Sequence, residues 1–242
     1  MRRDLVIVLT AVALLAVAPA AVAQYSIVDS SPIVEAVTGF TGAGFTPTPA
    51  AGQLDSDMFA ITGMSDGDLA FGGTITSGDY ARGASAGGVS TGGVYGWSGG
   101  PDTFLFIQPG GSDFTPGTLT MRYVNNSGVT ITDVDVSYSI MVLNDAPRAN
   151  SWNFGYSPGC LAYNAVPALD YTTPEAADAL GWGGVSRFTT LSGLSIPDGG
   201  LLCIQFSSND VTGADTRDEI GIDHVYVTAT NVPVELQSFD IE

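Results

Sequence analysis

The sequence predicts an all-β fold, a two-sheet antiparallel β-sandwich, and three observations predict it. Residues 134–142 alternate without a break, with Val134, Val136, Tyr138, Ile140 and Val142 on one face and Asp135, Ser137 and Ser139 on the other. That period of two is what a half-buried antiparallel strand requires. Short β-branched and aromatic runs recur along the chain, each closed by Gly, Pro, Asn or Asp. Only one segment has helical character: in "TTPEAADALG", Thr173 can cap, Pro174 suits a first turn and Gly181 can end a short helix at 174–180. One short helix among roughly eight or more strands places the core between two sheets.

The elements follow in chain order. Residues 1–23 carry Arg2 and Arg3, an apolar run from Leu5, and Ala21-Val22-Ala23 before Gln24. This is the basic, apolar and small-residue order of a secretory signal peptide. The run from Leu5 to Ala23 is also just long enough for a membrane anchor. Pro19 and the small residues before Gln24 favour cleavage. The mature chain is thus expected to be exported and soluble, and long enough for one domain with a sizeable core. Residues 24–39 read as an N-terminal arm, 40–231 as the sandwich, and 232–242 as a C-terminal tail.

Within the sandwich, Gly and Pro break up "TGAGFTPTPAAGQLDSD", and "MFAITGMSDGDLAFGGTIT" reads as strand, turn, strand. The runs on either side of Asn125-Asn126-Ser127-Gly128 are expected to form a hairpin. "SWNFGYS" reads as a strand whose Trp152, Phe154 and Tyr156 share a face, which places Trp152 in the core. A second hairpin is expected from "RFTTLSGLSI" and "LLCIQFSS" around Pro197-Asp198-Gly199-Gly200. The closing strand, "IGIDHVYVTAT", puts Ile220, Ile222, His224, Tyr226 and Thr228 on one side.

Charge narrows the partners. All seven basic residues are arginine, against 25 acids, for a net charge of −18. With Arg2, Arg3 and Asp4 removed, five arginines face 24 acids, a net charge of −19. Such a chain repels phosphate backbones and anionic lipid, so neither nucleic acid nor a membrane surface is expected as a partner. It suits cations, Ca²⁺ included. Charged residues are still only 13% of the chain, so the surface is mostly Thr, Ser, Asn and Gly. Cys160 and Cys203 are the only cysteines. In an exported protein an even pair reads as one disulfide, worth on the order of 4 kcal/mol for a loop of this size. Two free thiols or half a metal site are the competing readings.

The chemistry-bearing patterns are few. Ser85 and Ser90 each sit in Gly-x-Ser-x-Gly, and the single histidine, His224, follows many aspartates, which is the order of an α/β-hydrolase triad. A nucleophile elbow needs a helix directly after the serine. Six of the fifteen residues from Gly83 to Trp97 are glycine, so no helix starts there, and the stretch reads as architecture. His224 alternates with apolar residues and reads as a packed core-edge side chain. Asp210, Asp215, Asp218, Glu219 and Asp223 crowd a Gly-containing loop, the kind of oxygen-rich segment that takes Ca²⁺. A solvated acidic loop is the alternative, and "DSD" at 55–57 and "DGD" at 66–68 are similar, weaker signals.

The segments "FTPGTLTMRYVNNSGVTITDVDVSYSIMVLND", "NSWNFGYS", "GLSIPDGG" and "RDEIGIDHVYVT" together resemble an uncharacterised β-sandwich domain of exported bacterial proteins. The last of them is also similar to the closing strand of jelly-roll carbohydrate-binding and MAM-type modules. The resemblance implies a jelly-roll-like sandwich. In that family the closing strand carries an Ile-Asp-Asp pattern, which here reads Ile222-Asp223-His224, with one acidic position replaced. "VPVELQSFDIE" resembles the segment preceding the sorting domain of type IX secretion substrates.

These readings point to a non-catalytic extracellular or cell-surface module. Its expected ligand is carbohydrate or another surface molecule, with Trp97 and Trp182 as candidate contact residues. The alternative is a structural subunit of a surface layer, matrix or filament, self-associating through sheet edges or the 24–39 arm. A secreted serine hydrolase comes third.

Overall fold

A computed structural model describes residues 25–35 and 37–232. The signal segment at 1–23 and residues 233–242 of the tail lie outside the described residues. In chain order the strands are β1 (Tyr25–Ile27), β2 (Ile33–Glu35), β3 (Phe45–Thr46), β4 (Leu54–Asp55), β5 (Phe59–Thr62) and β6 (Ala84–Ser85). They continue as β7 (Gly93–Trp97), β8 (Leu105–Gln108), β9 (Gly117–Asn125), β10 (Val134–Leu143), β11 (Arg148–Pro158) and β12 (Asn164–Ala165). The set closes with β13 (Tyr171–Thr172), β14 (Gly183–Leu191), β15 (Leu201–Ser208), β16 (Asp210–Gly213) and β17 (Glu219–Ala229).

Two large sheets face each other, as the alternation in β10 predicts. The first runs β1-β9-β15-β11-β12, with β5 also on β9 and with β13 and β16 on β11. The second runs β14-β10-β17-β8-β7-β6, with β2 also on β17. The core between them is aromatic. Trp152 stacks on Phe206 at 5.4 Å, and Tyr138 from the opposite sheet stacks on Phe154 at 5.6 Å. Trp152 is fully buried, as its place in the strand predicts. Among the described residues no helix is long and apolar enough to cross a membrane.

Neither expected hairpin forms. β9 lies in the first sheet and β10 in the second, and β14 and β15 are divided in the same way. Both Gly/Asn-rich turns are crossovers at one end of the sandwich, and they hold each other. Asn125 and Gly200 exchange contacts there: Asn125 N–H donates to Gly200 O at 2.8 Å, and Asn125 O accepts Gly199 N–H. The buried Asn125 amide donates to Val129 O and Ile196 O. Turn residues specify a reversal, but which sheet the next strand joins depends on long-range partners that the local sequence does not carry.

The expected helix at 174–180 is also absent. Asn144 takes its backbone instead, accepting Asp178 N–H at its carbonyl and donating its side-chain amide to Ala176 O. Seven residues are too few for a helix to repay nucleation without a buried apolar face. The described helical turns are short 3₁₀ pieces at Gly78–Tyr80 and Pro167–Leu169.

The closing strand departs from its predicted alternation at one residue. Ser137 pairs with Tyr226 and Ser139 with Asp223, so His224 and Val225 together oppose Tyr138 in a β-bulge. His224 has φ of +49°. Ile220 and Ile222 face the core before the bulge, and Val225, Val227 and Ala229 face it afterwards. His224 and Tyr226 are thereby turned outward. The described part of the expected arm is paired with the body: β1 pairs in parallel with β9, and β2 pairs antiparallel with β17.

Candidate functional site

The outer face of the first sheet carries an open groove, and strand register builds it. The core takes Leu119, Met121, Phe154, Ile204 and Phe206, so the residues between them face outward. Pairing aligns these into rows across four strands. Thr62, Thr118, Ser207 and Asn153 form one row, and Ala60, Thr120, Gln205 and Gly155 the next. Arg122, Cys203 and Ser157 form a third. The first row floors a groove of about 400 Å³, edged by Ser151 and Asn209, and no lining residue is ionisable.

Its polar groups are partly engaged and partly open. The Thr62 and Thr118 hydroxyls lie 2.7 Å apart, and Gln205 Nε2 donates to Thr120 Oγ1 at 3.1 Å. Ser151 Oγ accepts Asn209 N–H at 3.0 Å. Hydroxyl and amide groups on a rigid sheet, without charge, suit a ligand that is itself rich in hydroxyls.

The second row, next to the groove's floor, is covered. The segment after β11 turns back over the sheet, and β12 pairs with β11 at Gly155 and Tyr156. A Cβ on Gly155 would lie 3.7 Å from Tyr163 Cβ and 3.4 Å from Asn164 O, ordinary packing distances, so the returning segment lies directly over this position. Tyr163 is half-buried across the row. Burial raises its hydroxyl pKa, and the Thr120 side chain beside it opposes part of that rise. One row further on, Cys203 points outward and is joined to Cys160, with Cα atoms 5.1 Å apart. The predicted disulfide therefore lies on the site's face of the sheet, outside the core. Arg122, beside it, packs over Phe71 at 4.4 Å and donates to Asp57 O at 2.7 Å.

Trp97 and Trp182 lie on the opposite side of the molecule, on the outer face of the second sheet. The structure brings them together. Trp97 stacks on Phe104 at 4.9 Å, and Trp182 meets Phe104 and Phe106 at 5.0 Å each. Tyr95 joins them by stacking on Phe106 at 5.1 Å. Gly99 and Gly100 lie against the Trp97 ring, and Trp182 Nε1 donates to Ala86 O in the glycine-rich segment. Both indoles are half-buried parts of a small second core under loops.

The five acids considered for Ca²⁺ are spread over different partners. Asp210 is held by Arg217 at 2.6 Å and by Arg148, and these arginines keep its pKa low. Asp215 is exposed. Asp223 Oδ1 lies 2.8 Å from His224 Nδ1. Asp218 and Glu219 are fully buried; Asp218 accepts Ala146 N–H and Glu219 accepts Val89 N–H. Burial pushes Asp218 up to about 6 and Glu219 up to about 7, with the carboxylate of Asp145 adding to both shifts. Among the described residues no group of three or more His, Cys, Asp or Glu side chains is placed to hold a metal ion. The "DSD" and "DGD" acids serve turns: Asp55 accepts Asp57 N–H, Asp66 accepts Asp79 N–H and Asp68 accepts Gly63 N–H.

The serines and the histidine occupy separate places. Ser85 Oγ accepts Gly87 N–H at 3.1 Å and Ser90 is exposed, with turn rather than helix after each. His224 lines a small hollow with Thr38, Pro101, Asp102 and Thr103. Sequence reasoning missed Tyr163, Asn153 and Gln205 because a groove of Thr, Ser and Asn has no motif. The signal that could have found them is the uncharged outward face of β9, β11 and β15.

No protein-family model matches the sequence, and no curated protein matches it. Among solved structures, the chain is similar to a cleaved adhesin domain of Lys-gingipain from Porphyromonas gingivalis, at 16% identity and a TM-score of 0.42, over 83% of this chain and 99% of that one. It is similar to the N-terminal cellulose-binding domain of a Cellulomonas fimi β-1,4-glucanase at 15% identity and a TM-score of 0.35, over 74% and 91% of the two chains. A carbohydrate-binding module specific for non-crystalline cellulose matches at 15% identity and a TM-score of 0.37, over 55% of this chain and 78% of that one.

Proposed function

We propose that this protein is an exported, non-catalytic β-sandwich module that binds carbohydrate, and that its binding surface is the groove on the outer face of the first sheet. The observation that carries the reading is the row Thr62, Thr118, Ser207 and Asn153, an open and uncharged floor on paired strands. Sugar hydroxyls both donate and accept, and each of these side chains can answer in at least one sense. The chain's net charge of −18 disfavours uronate and sulfated polymers, so the ligand class is neutral polysaccharide.

Affinity electrophoresis through gels containing xylan, galactomannan, mixed-linkage glucan or hydroxyethylcellulose tests the reading. Retardation by at least one of them, unchanged between roughly 50 and 500 mM salt, is the expected result, because exposed charge pairs are screened over that range and neutral contacts are not. Asn153→Ala should cut the retardation severalfold while leaving the melting temperature in place. Mobility unaffected by every polymer would count against carbohydrate, and concentration-dependent assembly in the same samples would favour the structural-subunit reading.

A further inference from the structure

Beside the row that floors the groove, an aromatic side chain lies over the next row, and the segment that carries it is fastened by the molecule's only disulfide. We infer that Tyr163 is the surface on which a ligand ring stacks, and that the Cys160–Cys203 bridge is there to hold it in place; the inference rests on the carbohydrate reading above. Three placements support it. Gly155, in the second row, lies beneath Tyr163: a Cβ there would be in van der Waals contact with Tyr163 Cβ at 3.7 Å. The phenol reaches the Thr120 side chain, in the same row as Gln205, so the ring lies across the second row, beside the groove's floor. Cys203 occupies the outward position one row on, and its partner Cys160 is three residues before Tyr163.

The bridge contributes little to the core. Its neighbours Leu202 and Ile204 already point inward and are fully buried, while Cys160 is part of an exposed turn in which Leu161 is 91% exposed. Such a turn has no apolar anchor of its own, and without the bridge it would be held by the short β12 pairing, by Gly159 N–H and Cys160 N–H donating to Leu201 O and Ser157 O, and by Leu161 N–H donating to Ser157 Oγ at 3.0 Å. An aromatic ring fixed in position gains more from packing against the C–H face of a sugar than one that must first be ordered. Tyr163 therefore selects ligands whose rings present such a face, and the disulfide acts as a positioning device.

The test compares Tyr163→Ala, Tyr163→Phe and the double variant Cys160→Ser/Cys203→Ser, using the same polysaccharide gels with melting curves in parallel. Tyr163→Ala should weaken binding about tenfold or more with the melt unchanged, and Tyr163→Phe should stay within about threefold of the parent, since the ring is retained. The double cysteine variant should lose binding to a similar extent; if it fails to fold, the tyrosine pair alone decides. Binding by the parent that survives Tyr163→Ala overturns the inference and leaves the carbohydrate reading standing. Equal loss in Tyr163→Phe and Tyr163→Ala overturns stacking in favour of the hydroxyl. A parent that binds none of the polymers overturns the carbohydrate reading itself.

Discussion

The two outer faces of the sandwich are made from the same kind of strand and have opposite fates. On the first sheet the outward side chains of one row are Thr62, Thr118, Ser207 and Asn153, and that row stays open, while the rows beyond it are covered by the Tyr163 segment and the Cys160–Cys203 bridge. On the second they include Tyr95, Trp97, Phe104 and Phe106, and the chain has folded loops over them until Phe104 and Phe106 are buried. An apolar outer face this size would otherwise be an exposed patch, which a lone domain rarely leaves uncovered. Trp97 and Trp182, which stand out in the sequence, are half-buried in that packing. The groove was left accessible because its residues lose nothing by facing water.

The largest effect that separates the faces should come from Phe106→Ala. The ring is fully buried and touches Tyr95, Phe104 and Trp182. Truncation should cost about 3–5 kcal/mol in urea unfolding, while polysaccharide affinity of the folded protein stays within about twofold. Loss of affinity at full stability would place the ligand on the tryptophan face and reverse the assignment.

What was legible in the sequence follows the same division. The period of two in β10, the core position of Trp152 and the pairing of Cys160 with Cys203 could be read locally, because alternation and cysteine count are local facts. The two crossovers, the His224 bulge and the irregular 174–180 segment could not, because each is decided by a distant partner: the opposing turn, the opposing Tyr138, or Asn144. The groove was the least legible part. Its rows exist only once β5, β9, β15 and β11 are aligned, and those strands are drawn from residues 59–208.

A smaller effect sharpens the comparison through pH. Glu219 accepts Val89 N–H at 2.8 Å, and Val89 packs on the roofed aromatic cluster, so this buried carboxyl ties down the roof. Burial, with Asp145 beside it, raises its pKa from 4.5 to about 7. Between those values the native state holds a proton that the unfolded chain has lost, so stability is greatest at the acid end of that window and falls as pH rises through it. Asp218, raised to about 6, acts in the same direction. Unfolding free energy should drop by on the order of 2 kcal/mol between about pH 5 and pH 8, and Glu219→Gln should flatten most of that slope. Groove affinity should not follow. Repeating the melts at pH 8 with millimolar Ca²⁺ reads the cation directly: stabilisation that Glu219→Gln removes would put Ca²⁺ on these carboxyls, and its absence would leave the proton as their partner.

The smallest effects belong to the glycine-rich roof itself, where the two serines of the Gly-x-Ser-x-Gly patterns lie. Gly87 has φ of +101°, and a Cβ there would come within 2.8 Å of Trp182 Nε1 and 2.6 Å of Leu143 Cδ2. Gly87→Val therefore faces both a left-handed backbone and a filled space, and should cost about 1–3 kcal/mol. Ser85→Ala removes one exposed-side acceptor for Gly87 N–H, and Ser90→Ala removes nothing that is buried, so each should stay within about 0.5 kcal/mol of the parent. A hydrolase demands the reverse ranking, with one serine indispensable and labelled by a fluorophosphonate probe. Neither serine has a helix behind it, and His224 lies in a separate hollow with Thr38 and Asp102. The parent should accordingly remain unlabelled, and labelling at Ser85 or Ser90 would turn the roof of the aromatic face into an active site.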